Sequence, residues 1–221
     1  MIKRHIRRRI IFATLLLSAI VSTLLYIGWY SNLLIVKSIE VRGAKDVPIQ
    51  LITDTAQVSL NTQLLRVPTV SVVERLQTIT QIGRAEVRRG WPSTLVIDIS
   101  ERSPVAVTDI GSGRLLVDQT GFPYLPAPQD ANFPFVSGPD DSSRAATYVV
   151  WQSFPEWLKP EIASTNADNP NSIWLMMTSG RKVLWGNTER AAEKSAVLKV
   201  LRRMAGSTYD VSTPEVPVVK P

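Results

Sequence analysis

The sequence predicts an α+β protein carried on a single transmembrane helix. Three observations predict it. A charge-free apolar stretch follows a basic N-terminus. Residues 35–104 then order as strand, helix, helix, strand, strand, and residues 105–213 are strand-rich with one well-capped helix near their end.

Residues 1–9 hold Lys3, Arg4, Arg7, Arg8 and Arg9 and no acidic residue, and no charge occurs between Arg9 and Lys37. Residues 10–30 are expected to span the membrane, since about 20 apolar residues make a helix of roughly 30 Å, the hydrocarbon thickness. Ile10, Leu17, Leu25 and Trp29 mark its length, and Tyr26, Trp29 and Tyr30 gather at the far end, where amphipathic rings favour the headgroups. The cations precede the span, which predicts a cytoplasmic tail at 1–9 and a single-pass type II orientation with the C-terminal part exported. A cleaved signal peptide is the alternative. Its apolar region runs ~7–15 residues and ends in a small-x-small site, whereas the exit here is Ile27-Gly28-Trp29-Tyr30.

The first exported module alternates from Ile35 through Val41 and stops at Gly43. Asp46-Val47-Pro48 opens a helix, proline being tolerated in its first turn, with Ile49, Ile52 and Ala56 at helical spacing. A second helix is expected from Thr69, with Val70, Val73 and Leu76 as its stripe. Ala85, Val87 and Arg89, then Leu95, Ile97 and Ile99, read as two strands about a Trp91-Pro92-Ser93 turn. A helix pair on a small three-stranded sheet buries both sets of apolar faces.

The second module, residues 105–213, begins with strands around Val105, Val107 and Leu115-Leu116-Val117 and the turn Asp118-Gln119-Thr120-Gly121. Residues 122–142 read as an ordered loop, 143–154 as a short helix, and 173–185 as a hairpin about Ser179-Gly180-Arg181. The long C-terminal helix is capped by Asn187 or Thr188 and stopped by Gly206. Its buried stripe is Ala191, Leu198, Leu201 and Ala205, and its charges suit the macrodipole. Thr208–Ser212 follow as an edge strand, and residues 214–221 read as an extended Pro-rich tail.

Composition removes much chemistry. The 221 residues carry 25 Lys and Arg against 19 Asp and Glu, a balance of +6 of which the first nine residues supply five, so the body has no surplus for a phosphate backbone and nucleic acid is not an expected partner. There is no cysteine, and the only histidine is His5. Thiol chemistry, disulfides, zinc-thiolate sites and a Ser-His-Asp triad in the body are excluded together. A membrane-anchored cell-wall enzyme, transpeptidase or hydrolase, is the alternative function. Ser179-Gly180-Arg181-Lys182 and Ser164-Thr165-Asn166 imitate transpeptidase motifs. Their order is reversed, the Lys-Thr/Ser-Gly motif is missing, and Ser179 lies in a turn rather than opening a helix. Asp98 and Glu101 fall on opposite faces of a strand, and Asp140 and Asp141 lie in a loop, so neither pair suits glycoside hydrolysis. Trp91, Trp151, Trp157, Trp174 and Trp185 read as core or interface anchors before sugar platforms. No cofactor and no small-molecule substrate are expected.

The run Arg88-Arg89-Gly90-Trp91-Pro92-Ser93-Thr94-Leu95-Val96-Ile97-Asp98-Ile99-Ser100-Glu101-Arg102-Ser103-Pro104-Val105-Ala106 closely resembles a segment of the FtsQ/DivIB family of bacterial cell-division proteins. There it closes the POTRA domain and enters a second, β-rich domain. Val36 to Gly43, the Leu116-Val117-Asp118-Gln119-Thr120-Gly121-Phe122 strand and turn, and Tyr209-Asp210-Val211-Ser212 resemble further family landmarks in the same order. Trp185-Gly186 departs from the smaller apolar residue that many relatives carry before the glycine. The resemblance implies a POTRA-like domain over 35–104 and an FtsQ/DivIB-type domain over 105–213. It also implies a non-enzymatic scaffold at the division septum that binds bitopic coiled-coil proteins of the FtsB/DivIC and FtsL kind, meets other divisome membrane proteins, and helps control septal peptidoglycan synthesis. By analogy with the family, the contact candidates are Thr208, Tyr209, Asp210, Val211 and Ser212 on the terminal strand, with Trp185 beside it. The alternative is that Tyr209 and Val211 fill the core.

Overall fold

The computed structural model describes residues 11–23, 26, 34–111 and 113–221, and the chain divides into two compact units, residues 1–101 and 102–221. Residues 11–23 are helical with every side chain exposed, Leu17 among them. Among the described residues no helix is long and apolar enough to cross a membrane. Ile10, Leu25, Trp29 and the basic tail lie outside the described residues.

From Leu34 to Glu101 the first unit has the expected β-α-α-β-β order: β1 (Ser38–Arg42), α1 (Ile49–Ala56), α2 (Thr69–Leu76), β2 (Ile82–Gly90) and β3 (Thr94–Glu101). The long β3 takes the middle of the sheet, parallel to β1 and antiparallel to β2. Its inward residues Leu95, Ile97 and Ile99 meet Ile52 and Ala56 of α1 and Val72 and Leu76 of α2 in one core. The stripe on α2 is thus Val72, Val73 and Leu76, while Val70 at the first turn is exposed. Ile49, the first residue of α1, is exposed as well. A residue in a first turn overhangs the end of the layer it packs on, so correct spacing does not bury it.

Glu101, at the end of β3, ties down the loop before α1. Its Oε1 accepts from the N–H groups of Lys45 at 2.8 Å and Val47 at 3.0 Å, and its Oε2 from Asp46 N–H at 3.0 Å. Burial works to raise the Glu101 pKa, but the three backbone donors outweigh it and hold the carboxyl below its ordinary value. A depressed folded pKa means stabilisation that is present above the unfolded value of about 4.3 and lost as pH falls through the folded one. Glu101→Gln is therefore expected to lower the thermal midpoint at neutral pH, with the gap to the parent closing below about pH 4. Melting curves across that range check this; a gap that does not change with pH contradicts it.

The second unit holds two sheets. β4 (Ala106–Asp109), β5 (Arg114–Val117) and β6 (Pro123–Pro126) form a small antiparallel meander. The larger sheet has the order β12-β11-β10-β9-β8-β7, built from β7 (Val136–Ser137), β8 (Ile162–Asn169), β9 (Ser172–Met177), β10 (Lys182–Gly186), β11 (Thr208–Asp210) and β12 (Val218–Lys220). α3 (Asp141–Gln152) and α4 (Ala191–Leu201) complete the unit. Val150 of α3 and Leu198 and Leu201 of α4 share a core with Ile173, Leu175, Val183, Trp185 and Tyr209. The strict alternation of burial along β9 and β10 shows one face packed and the other partly open.

Several expectations change here. The loop 122–142 contains β6 and β7. On α4 the buried positions are Lys194, Ser195, Leu198 and Leu201, while Ala205 lies beyond the helix and is exposed. The helix begins after Arg190, held at φ 56 in the left-handed region, rather than on a side-chain cap from Asn187 or Thr188. The extended tail beyond Pro214 supplies a further strand, β12. That strand pairs antiparallel with β11, so Thr208–Asp210 is an interior strand and the edge of the sheet belongs to Val218–Lys220.

Candidate functional site

β12 ends the six-stranded sheet on the side of the terminal strands expected to meet a partner, and it leaves that edge open. Its construction starts at α4, where Arg190 pairs with both Glu193 and Glu215 and so ties the helix start to the β11–β12 turn. At the other end of the hairpin Ser207 N–H donates to Lys220 O at 2.9 Å and Ser207 Oγ to Pro221 O at 2.7 Å. Val219 packs its side chain on the core of the unit, while Val218 and Lys220 are exposed. Gly206 lies under the strand: a Cβ there would overlap Val219 Cγ1 and stand 3.0 Å from Lys220 O. β12 is therefore pinned at both ends and along its inner face.

Alternation then fixes which backbone groups face outward. Val211 N–H donates to Leu184 O on β10 at 2.9 Å. Thr208 and Asp210 accordingly turn their backbone groups the other way, toward their register partners Lys220 and Val218. Val219, between those two, directs its N–H and C=O out of the sheet. Lys182, Thr208 and Lys220 share one row across β10, β11 and β12, and of its two cations Lys220 lies on the edge strand while Lys182 turns inward over Trp174.

The terminal-strand residues expected to meet a partner are brought together, but with their larger side chains inward. Tyr209, Val211 and Trp185 are fully buried. Trp185 meets Phe154 edge-on at 5.2 Å, and Tyr209 donates its hydroxyl to Met204 O at 2.9 Å. Of the two alternatives for Tyr209 and Val211, their side chains take the core. Asp210 accepts from Ser212 N–H at 3.0 Å and Ser212 Oγ at 2.6 Å, closing the turn after β11. Thr208 and Asp210 are partly buried, and Ser212 alone of the six is exposed. Sequence reasoning missed Val218, Val219 and Lys220 because Pro217 and Pro221 flank them; the signal that was available is the β-branched pair between those prolines.

The residues that imitate catalytic sets have structural work. Ser179 lies in the turn between β9 and β10. Asn166 Nδ2 donates to Ser164 Oγ at 2.8 Å along β8. Asp98 accepts from Arg88 across the outer face of the first sheet, and Asp140 caps α3 by accepting from Ser143 N–H at 2.7 Å. Asp118 accepts from Thr120 N–H at 2.8 Å, from its hydroxyl at 2.6 Å, and from Arg102. Burial works to raise its pKa, and these donors outweigh it and hold it low. Lys194 is buried with its Nζ on Asn187 O at 3.0 Å and Oδ1 at 2.8 Å, and burial pushes its pKa down. Among the described residues no group of three or more His, Cys, Asp or Glu could hold a metal ion. The partly exposed tryptophans carry cations on their rings: Lys159 at 5.2 Å from Trp151, Arg202 at 4.9 Å from Trp157 and Lys182 at 4.2 Å from Trp174. Such faces are already occupied where a sugar would stack.

A β-α-α-β-β module of the POTRA kind joined to a strand-rich module with an open sheet edge is the class of protein this architecture defines. Comparison with known proteins resolves the class to a family. Residues 34–102 match the FtsQ-type POTRA domain, and residues 106–213 match the C-terminal domain of cell division protein FtsQ/DivIB. The chain is 34% identical over 196 residues to cell division protein FtsQ of Mycolicibacterium smegmatis, covering 87% of this chain and 59% of that one. It is 36% identical over 189 residues to that of Mycobacterium leprae, covering 84% and 55%. With the protein of Mycobacterium tuberculosis it shares 34% over 215 residues, covering 93% and 68%. The chain belongs to the FtsQ/DivIB family of cell-division proteins, and it spans somewhat more than half the length of the first two of these relatives.

Proposed function

We propose that the protein is a non-enzymatic scaffold, anchored by residues 10–30, that binds bitopic coiled-coil division proteins of the FtsB/DivIC and FtsL kind outside the cytoplasm. In this reading it sits at the septum among other divisome membrane proteins and couples them to control of septal peptidoglycan synthesis. The observation that carries the reading is the pinned, outward-facing edge of β12. An edge strand offers N–H and C=O groups in register, so an extended partner segment adds as a further strand, and exposed side chains at alternate positions select it. Val218 and Lys220 are those side chains, and the exposed Lys220 favours a carboxylate on the partner at that end. The structural roles of Asp98, Glu101, Asp118 and Asp140 speak against the wall-enzyme alternative.

The test is binding of the reconstituted chain to extracytoplasmic segments of candidate division proteins, with Val219→Pro alongside. Proline removes an outward donor from an edge position, where the fold tolerates it. Val211→Pro, by contrast, removes the internal bond to Leu184 and is a folding variant. Saturable binding that Val219→Pro weakens at least about tenfold, a loss of about 1.4 kcal/mol, is the expected result. Equal affinity in that variant moves the interface off this edge.

A further inference from the structure

In the first unit, three segments converge where the chain enters the sheet. Val36 N–H donates to Thr62 O and Asn61 N–H to Val36 O, each at 2.8 Å, and Lys37 N–H donates to Ser93 O at 2.8 Å. Arg89, at the end of β2, clamps the same place by donating from Nε to Leu64 O and from Nη2 to Val67 O, both at 2.9 Å. Residues 34–37, 58–66 and 91–93 thus form one tip of the unit. That tip breaks the usual rules for a solvated surface. Trp91 is 59% exposed, Leu60 56% and Leu65 36%, although the core of the unit lies a few residues away. The three segments contain no carboxylate and two cations, Lys37 and Arg66, both exposed.

We propose that this tip is a membrane-contact surface, with Trp91, Leu60 and Leu65 entering the headgroup layer and Lys37 and Arg66 meeting anionic headgroups. The proposal rests on residues 10–30 being the anchor. Given that anchor, the occupant follows from covalent reach. From Tyr30, at the end of the apolar stretch, to Leu34 is four residues, which span at most ~14 Å at full extension. The next residue, Ile35, already bridges to Gln63, and Val36 is buried in the core. The tip is therefore held within ~14 Å of the end of the span, close enough to reach a layer of headgroups that is roughly 5–7 Å deep on each side. An exposed indole with flanking leucines and cations is the composition that partitions there. The consequence is orientation: a single span lets the exported part swivel, and a second point of attachment restrains it.

The chain has no cysteine, so single cysteines report without background. The full chain is reconstituted into phosphatidylethanolamine–phosphatidylglycerol vesicles with an environment-sensitive label on Trp91→Cys, Leu60→Cys or Leu65→Cys, and quenching is read from lipids carrying spin labels at headgroup or mid-chain depth. Lys45→Cys is the reference, because Lys45 follows β1 and lies at the opposite end of the sheet, against Glu101. Leu17→Cys reports the anchor. The expected result is strong headgroup-depth quenching at 60, 65 and 91, little at 45, and mid-chain quenching at 17. Quenching at 17 with none at the tip overturns the proposal while the anchor stands. No quenching at 17 overturns the anchor reading itself. To separate native insertion from insertion driven by the label, Trp91→Ser is combined with the label at 60. A severalfold fall in quenching is expected, and unchanged quenching overturns a role for Trp91. Tip quenching that survives in purely phosphatidylcholine vesicles overturns the part given to Lys37 and Arg66.

Discussion

Replacing Gly121 with alanine is expected to cost the second unit more than about 3 kcal/mol, lowering its thermal midpoint by roughly 10 °C. Two effects add. Gly121 holds φ at +82, where a side chain costs about 1–2 kcal/mol. A Cβ there would also overlap Asp141 O and crowd Ala145 N, both backbone atoms at the start of α3. The helix has no freedom to retreat. Buried Arg144 donates from Nε to Gly121 O at 2.7 Å, from Nη1 to Gly138 O at 2.9 Å, and pairs with Asp141. Asp118 fixes the other side of the turn through its donors from Thr120 and Arg102. Gly111 provides the internal comparison: it holds φ at +90 with nothing within 4 Å of a Cβ. Gly111→Ala should pay the conformational cost alone, roughly 5 °C. Equal shifts in the two variants would show that the contact between the turn and α3 carries no weight.

Gly206→Ala is expected to weaken partner binding about tenfold, or about 1.4 kcal/mol, while the unit still unfolds in one cooperative transition. The added methyl presses on Val219 Cγ1 and Lys220 O, so β12 moves away from the position in which Ser207 and the inner core hold it. The core itself is closed by Tyr209 and Val211, both on the inner side of that strand, and is spared. Titrating the variant against the partner segment that the parent binds checks this. Full affinity at an undisturbed midpoint contradicts the place given to β12.

Much of the fold was legible because burial follows period. α2 is one-sided and β3 nearly so, Val96 being the one buried residue of its outer face, and their apolar residues recur at helical and strand spacing, so Leu76, Leu95, Ile97 and Ile99 could be read directly. β8 was not legible: Ile162–Asn169 carries one large apolar residue, and only Thr165 and Ala167 are buried, because neighbouring strands rather than its own side chains hold it. Lys194 shows a different limit. Its spacing to Leu198 and Leu201 places it on the buried face, but nothing local reveals that Asn187 supplies the acceptors that let an ammonium stay there. The site suffered most. Tyr209 and Val211 read as an open edge because the prolines around Val218–Lys220 hide the strand that covers it. Proline excludes a central strand and does not exclude an edge.

A partner that adds as a strand along β12 must engage the Val219 backbone amide. Hydrogen exchange of that amide is measured in the reconstituted chain with and without a saturating extracytoplasmic segment of an FtsB/DivIC-type protein. The Val219 N–H, open at the edge of the free protein, is expected to become strongly protected in the complex. The Val211 N–H, already bonded to Leu184, changes far less. Saturable binding that leaves exchange at Val219 unchanged would rule out strand addition at β12.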